Sequence, residues 1–206
     1  TQVDSFQGKT FVSLVGFQFL HTKLCGFLPV PFHTDFEEVN LRFYVWRREG
    51  DEIRRGVVFI REIVPRRAVA QIALRIYGEN YSRCPMRHDV SGNGIRRTAE
   101  YQWRLDGKWC TLRGEADGDG VLPKEESLEQ FITEHYWGYS TRRDGCLEYR
   151  VSHEPWRVWT CTTAGFEGDS DALYGSELGG IFRRQPDSAF IADGSAVLVF
   201  TGKRIP

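Results

Sequence analysis

Lysine is scarce in this chain of 206 residues: Lys9, Lys23, Lys108, Lys124 and Lys203 are all there are. None lies between Lys23 and Lys108, so that long interval offers no primary amine for imine chemistry. Also missing is any run of about 18 apolar residues, and the first residues lack the basic-then-apolar order of a signal peptide. No membrane partner is expected, and a cytoplasmic location is the simplest reading. The five cysteines, Cys25, Cys84, Cys110, Cys146 and Cys161, are odd in number and scattered without C-x-x-C spacing. That pattern excludes a zinc knuckle and a disulfide framework, and fits reduced thiols. An excess of either charge is lacking too, with a net charge of −1 and a pI near 6.5. Nothing in that balance draws in nucleic acid or an anionic surface.

The familiar catalytic signatures do not occur. There is no G-x-S-x-G, P-loop, H-E-x-x-H or strand-borne G-x-G-x-x-G, so no cofactor is expected. His153-Glu154 is followed by Pro155, and Cys84 with His88 makes only two ligands. A zinc site needs three or four, so no metal is expected. The "DGDG" at 117–120 lacks the acidic spacing of a calcium loop.

What is abundant is aromatic: 14 Phe, 8 Tyr and 6 Trp, a composition that favours sheets and lined cavities over disorder. One hydrophobic core serves a chain of this length, so a single domain over 1–206 is expected. Strands are expected over 11–19, about 37–47, 57–64, 95–105, 108–116, 146–152, 157–163 and 195–201. Asp106-Gly107 is a two-residue hairpin signal. A helix is expected over 66–77, where Val69, Ile72, Ala73, Ile76 and Tyr77 share a face and Gly78 follows. A second is expected over 128–136, with Ser127 and Gln130 forming a capping box. The whole reads as α+β, mostly antiparallel, with a strongly curved sheet or open barrel.

The chemistry is concentrated in "EVNLRFYV", 38–45. Period-two alternation puts Val39, Leu41, Phe43 and Val45 on one face and Glu38, Asn40, Arg42 and Tyr44 on the other. The apolar row suits a helix such as 66–77, and the polar row would then face a cone interior, with Arg61 reaching it from the paired strand. The competing reading is a solvated polar face. The segment 77–88, with Tyr81, Arg87 and His88, is either a solvated connection or a site wall. His153 and Trp156 suit a pocket rim, or a structural histidine beside a packed tryptophan.

Several blocks carry a family resemblance: "VDSFQGKTFVSLVGFQF", "FEEVNLRFYV", "GVVFIREIVPRRAVAQIALRIYGENYSRCPMRH", "LEQFITEHYWGYS" and "VSHEPWRVW". In order and spacing the chain resembles the YqjF-like family, bacterial proteins of unknown function, over nearly its whole length. Members of that family carry a further N-terminal segment, which is expected to be missing here. More distantly the chain is similar to the acetoacetate decarboxylase superfamily, which implies a cone-shaped, mostly antiparallel β-barrel with about two flanking helices. In those enzymes a glycine-containing turn after a helix presents the Schiff-base lysine. "YGENYS" resembles that turn, with Tyr81 or Ser82 where the lysine would stand, so an acetoacetate-type imine is excluded there.

These readings converge on a small-molecule-binding barrel for a small organic acid or carbonyl compound. Glu38 and Tyr81 are the expected acid–base pair. Glu37, Asn40, Arg42, Tyr44, Arg61, Arg87, His153 and Trp156 are the expected ligand-binding residues. The alternative is a non-catalytic interaction module, and a homo-oligomer is compatible with either.

Overall fold

The computed structural model describes residues 1–21, 23–24, 28–29, 35–65, 81–93, 95–142 and 145–205. The helix expected over 66–77 and its glycine lie outside them. The strands are β1 (Gln2–Val3), β2 (Val12–Phe19), β3 (Lys23–Leu24), β4 (Leu28–Pro29), β5 (Phe36–Glu49), β6 (Glu52–Val64), β7 (Tyr81–Arg83) and β8 (Met86–Gly92). They continue with β9 (Arg96–Leu105), β10 (Lys108–Asp117), β11 (Trp137–Arg142), β12 (Gly145–Ser152), β13 (Val158–Glu167), β14 (Phe190–Ala192), β15 (Leu198–Val199) and β16 (Lys203–Ile205). Two α-helices, α1 (Leu128–Thr133) and α2 (Ser170–Gly179), are described, with a 3₁₀ turn at Gly180–Arg183.

The β5–β6 hairpin is the spine of a nine-stranded sheet. One edge of β5 takes β1 and then β2, and the far edge of β6 takes β7 and then β11, both parallel to it. Beyond β11 lies β12, whose outer edge takes β15 and β16. A second, five-stranded sheet runs β14-β13-β10-β9-β8, antiparallel throughout. Among the described residues the architecture is therefore mostly antiparallel, with two large curled sheets, the short β3–β4 pair and two helices. The hairpin turn between β5 and β6 is tighter than the expected strand limits of about 47 and 57 imply, because pairing extends to Glu49 and Glu52.

Local chemistry accounts for the boundaries. Asp106 and Gly107 both have positive φ, 47° and 82°, the conformation a two-residue hairpin demands. The Ser127 hydroxyl accepts from the Gln130 amide at 3.2 Å and caps α1. Gln130 Oε1 reaches the Glu126 amide, one residue before the one a standard box would use. The helix then stops at Thr133, three residues earlier than its apolar period implies.

The main core lies between the sheets. Val39, Leu41 and Ile63 meet Tyr101, Trp103 and Cys110 of the second sheet, with Leu173 and Tyr174 of α2 closing one side. Val39 and Leu41 thus pack on the five-stranded sheet, and Phe43 and Val45 join Tyr139 and Ile205 in a separate cluster. The helix expected against that apolar row lies outside the described residues, and among them it is the second sheet that covers Val39 and Leu41. On the opposite side of β5, Tyr44 packs with Val57 and with Phe131 of α1.

Candidate functional site

The polar row of β5 is buried. Glu38 is 2% exposed and Asn40 1%, so the solvated-face reading does not hold for this stretch. The Asn40 amide Nδ2 donates to Glu38 Oε1 at 3.0 Å, and the Tyr81 hydroxyl donates to Glu38 Oε2 at 3.4 Å. Strand register explains the convergence. Asn40 is directly opposite Glu62 on β6, and Glu62 is in turn opposite Tyr81 on β7. Glu62, 1% exposed, is therefore a second buried carboxylate beside the first. It was missed in the sequence because "VVFIREIV" reads as an apolar strand with one charge pair. Only the hairpin register places it across from Asn40.

Farther along the same face sits Arg42, half-buried. Its Nη2 reaches the Ile132 carbonyl at 3.5 Å, and the guanidinium stands 5.9 Å from the Tyr44 ring. The Tyr44 hydroxyl is hydrogen-bonded to Ser13 Oγ at 2.6 Å, and its ring contacts Phe131 and His135. Beyond it, His135 Nε2 and Asp4 Oδ2 lie 3.2 Å apart, with Arg55 Nε 3.4 Å from the same oxygen. Burial pushes the His135 imidazole down to about 4, against the upward pull of Asp4. Neither Asp4 nor His135 stands out in the sequence, being 131 positions apart.

The remaining expected residues fall elsewhere. Glu37 points to the other face of β5, where its carboxylate is 3.7 Å from His88 Nδ1. Together with burial it pushes the Tyr101 phenol up to about 12, burial being the larger cause. Arg61 is opposite Leu41, so alternation turns it away from Glu38. It donates to Ser82 Oγ at 3.1 Å and to the Leu173 carbonyl. Arg87 lies on the five-stranded sheet, bonded to Gln102 and stacked 4.4 Å from Trp109. It lines a separate cleft of about 230 Å³ with His88, Asp89, Glu100 and Gln102. His153 and Trp156 stack on each other at 4.0 Å in an exposed loop, and Trp156 donates to Ser195 Oγ. The structure therefore brings together Glu38, Asn40 and Tyr81, with Arg42 and Tyr44 next in line. It separates Glu37, Arg61, Arg87, His153 and Trp156 from them.

One further charged group was not anticipated. Glu148, its side chain 1% exposed, receives Arg47 Nη1 at 3.0 Å and Arg54 Nη1 at 2.6 Å. Burial and this carboxylate together raise the Tyr139 phenol. Here both carboxylate oxygens are engaged by guanidinium groups, which suits a structural tie between the β5–β6 hairpin and β12.

Comparison with known proteins supplies the family. A family model described as an uncharacterized conserved protein, DUF2071, matches residues 1–196. The chain belongs to the DUF2071 family. No curated protein matches its sequence. Among solved structures, the acetoacetate decarboxylase of Legionella pneumophila is similar at a TM-score of 0.53, with 11% identity over 96% of this chain and 86% of that one. This likeness shows the fold, and bears out the barrel-like architecture implied by the sequence resemblance. The enduracididine biosynthesis enzyme MppR, solved with HEPES and with pyruvate, is similar at TM-scores of 0.47 and 0.45 and 12% identity. Those matches cover 66% of this DUF2071 chain, which spans about half of MppR, 53% and 54%. Among the described residues no helix is long and apolar enough to cross a membrane.

Proposed function

We propose that this DUF2071 protein binds a small organic acid or carbonyl compound beside Glu38 and works on it by acid–base chemistry, without a Schiff-base lysine. The observation that carries the reading is the buried Glu38 carboxylate, held by the Asn40 amide and reached by the Tyr81 phenol. A carboxylate removed from water is the kind of group whose basicity a site can tune. A phenol on its second oxygen gives a proton donor next to the base, and such contacts commonly tighten when substrate arrives. Enolisation, hydration or lactone opening needs no more than this pair. The fold shared with a decarboxylase of acetoacetate supports a keto or hydroxy acid as the size class. The free thiols Cys84, Cys110, Cys146 and Cys161 support a cytoplasmic setting.

The test combines two measurements. In a thermal-shift screen of small keto acids, hydroxy acids and lactones, stabilisation of the wild type should be lost in Glu38→Gln. Borohydride treatment with each hit should leave no reduced adduct. Equal stabilisation of the mutant removes Glu38 from the site, and a trapped adduct overturns the lysine-free chemistry. The rival reading, a non-catalytic module for self-association, has its support in the exposed run Val197, Leu198, Val199 and Phe200 at the β15 edge. Light scattering separates the two: a ligand-responsive monomer favours the first, and a ligand-indifferent dimer the second.

A further inference from the structure

The cleft on the five-stranded sheet is ringed by three charged side chains that do not pair with one another. Arg87, Asp89 and Glu100 line its volume of about 230 Å³ together with His88 and Gln102. Strand register explains why they stand apart. Arg87 is opposite Gln102, and Asp89 is opposite Glu100. Trp109 is opposite Arg104, on the far side of the Arg87–Gln102 pair from Asp89. The Arg87 guanidinium stacks 4.4 Å from the Trp109 ring centre and donates through Nε to Gln102 Oε1, so it leans away from both acids. Gln102 is fixed in turn, since its Nε2 donates to Thr111 Oγ1 at 3.1 Å. Among the described residues neither Asp89 nor Glu100 has a side-chain hydrogen bond or an ion pair. Arg113, opposite Glu100 on β10, is bound to Glu115 instead.

Two like charges directly opposite each other on a sheet are destabilising, and here the nearest guanidinium that could relieve them is anchored elsewhere. A ligand carrying both signs would meet all three groups. We propose that this cleft binds a free α-amino acid, with its carboxylate on the Nη edge of Arg87 and its ammonium between Asp89 and Glu100. The Nη edge suits a carboxylate because Nε is already used and two parallel N–H bonds remain. Cross-strand partners have Cβ atoms about 4.5–5.5 Å apart, close enough for one ammonium to donate to both acids. The reach agrees as well. In an α-amino acid the ammonium nitrogen and the carboxylate carbon are about 2.5 Å apart. A charge-assisted hydrogen bond of about 2.8 Å at each end extends that to about 8 Å. Residues two apart on a strand are separated by about 6.7 Å, and the lean of Arg87 toward Trp109 widens the gap between its Nη groups and the acids. Arg87 and Asp89 are exposed and Glu100 is half-buried, so charge pairing holds the ligand, and the affinity is modest and sensitive to salt. The cleft is independent of the chemistry at Glu38, which lies on β5 in the other sheet.

The probes are L-alanine and its two half-ligands, propionate and ethylamine, titrated calorimetrically at low ionic strength. The proteins are the wild type, Arg87→Met, the double variant Asp89→Asn with Glu100→Gln, and Glu38→Gln. We expect alanine to bind the wild type about fivefold or more tightly than either half-ligand, and added salt to weaken it. Arg87→Met should abolish the preference for alanine over ethylamine, and the double variant the preference for alanine over propionate. These side chains are not buried, so both proteins should keep the wild-type circular dichroism, and Glu38→Gln should bind alanine like the wild type. Failure of alanine to bind, affinities equal to those of its half-ligands, or preferences that survive both cleft variants overturn the proposal. Binding that is lost in Glu38→Gln and kept in Arg87→Met would move the amino acid to the β5 site and overturn the cleft assignment as well.

Discussion

At the residue scale, the sharpest consequence of burial falls on His135. Its side chain is 1% exposed, and its imidazole is pushed down to about 4, whereas an unfolded histidine titrates near 6.5. Between those values the unfolded chain binds the extra proton and the folded chain does not. Stability therefore rises with pH across this window. It is fully present above pH 6.5 and lost as the pH falls through 6.5 toward 4, by about 3 kcal/mol in total. Urea unfolding of the wild type and of His135→Phe at pH 7.5 and pH 4.5 checks this. The wild type should lose most of that amount on acidification relative to the variant. A difference between the two proteins that does not change with pH would place the acid sensitivity elsewhere. Asp4 is the group that would reverse the sign, since a His⁺–carboxylate pair favours the charged ring. At this site desolvation outweighs it.

At the scale of elements, legibility followed exposure. The β5 segment was readable because one face is apolar throughout and the other polar, and its hairpin with β6 because turn residues separate two such runs. The β9–β10 connection was readable from Asp106-Gly107 alone. By contrast, β8 carries Arg87, His88, Asp89 and Ser91 and is mostly exposed, so its hydrophobic content gives no period. Its order comes from seven register pairs with β9. Helix α2 was hidden for another reason: Gly175, at φ 79° and ψ 158°, interrupts it, so no continuous 3.6-residue pattern exists to be seen. The site was legible to the same extent. Glu38, Asn40, Arg42 and Tyr44 share one strand and were found together. Glu62 required the hairpin register, and Asp4 with His135 required the tertiary fold. Arg61 was misassigned because a residue on the paired strand is a neighbour only if alternation agrees. The hairpin offers a direct check on the local rule. A Cβ at Gly107 would meet nothing within 4 Å, yet φ is +82°, so Gly107→Ala carries only backbone strain. The expected loss in urea unfolding is about 1–2 kcal/mol, with wild-type near-ultraviolet circular dichroism retained. A loss near zero would mean that the turn does not hold this conformation in solution.

At the scale of the whole molecule, β5 does two jobs with opposite faces. Its odd positions Val39 and Leu41 anchor the inter-sheet core, and its even positions Glu38 and Asn40 hold the polar cluster. The geometry of the cluster therefore depends on how firmly the sheets are locked together. That lock is tight at one place. Gly16 of β2 lies against the Tyr101 ring of β9, where a Cβ would come within 2.6 Å of Cδ2. The contact joins the two sheets beside the Glu37–His88 pair, and the ring is itself buried. Gly16→Ala must push Tyr101 or the β2 strand away, an overpacking that costs about 1–3 kcal/mol. Because Trp103, Trp109 and Trp159 lie in the second sheet and far-ultraviolet circular dichroism reports on both, the mutant made in a Trp46→Phe, Trp137→Phe background also tests cooperativity. The two signals should shift to lower urea together, as one transition. If the tryptophan signal moved alone, the sheets would be separate folding units, and the polar cluster on β5 would owe its order to the nine-stranded sheet by itself. Coincident loss instead ties the site to the whole fold. A substitution remote from Glu38, on the opposite side of β5, should then leave ligand affinity unchanged while the protein stays folded, and lower it only by the fraction of molecules that unfold.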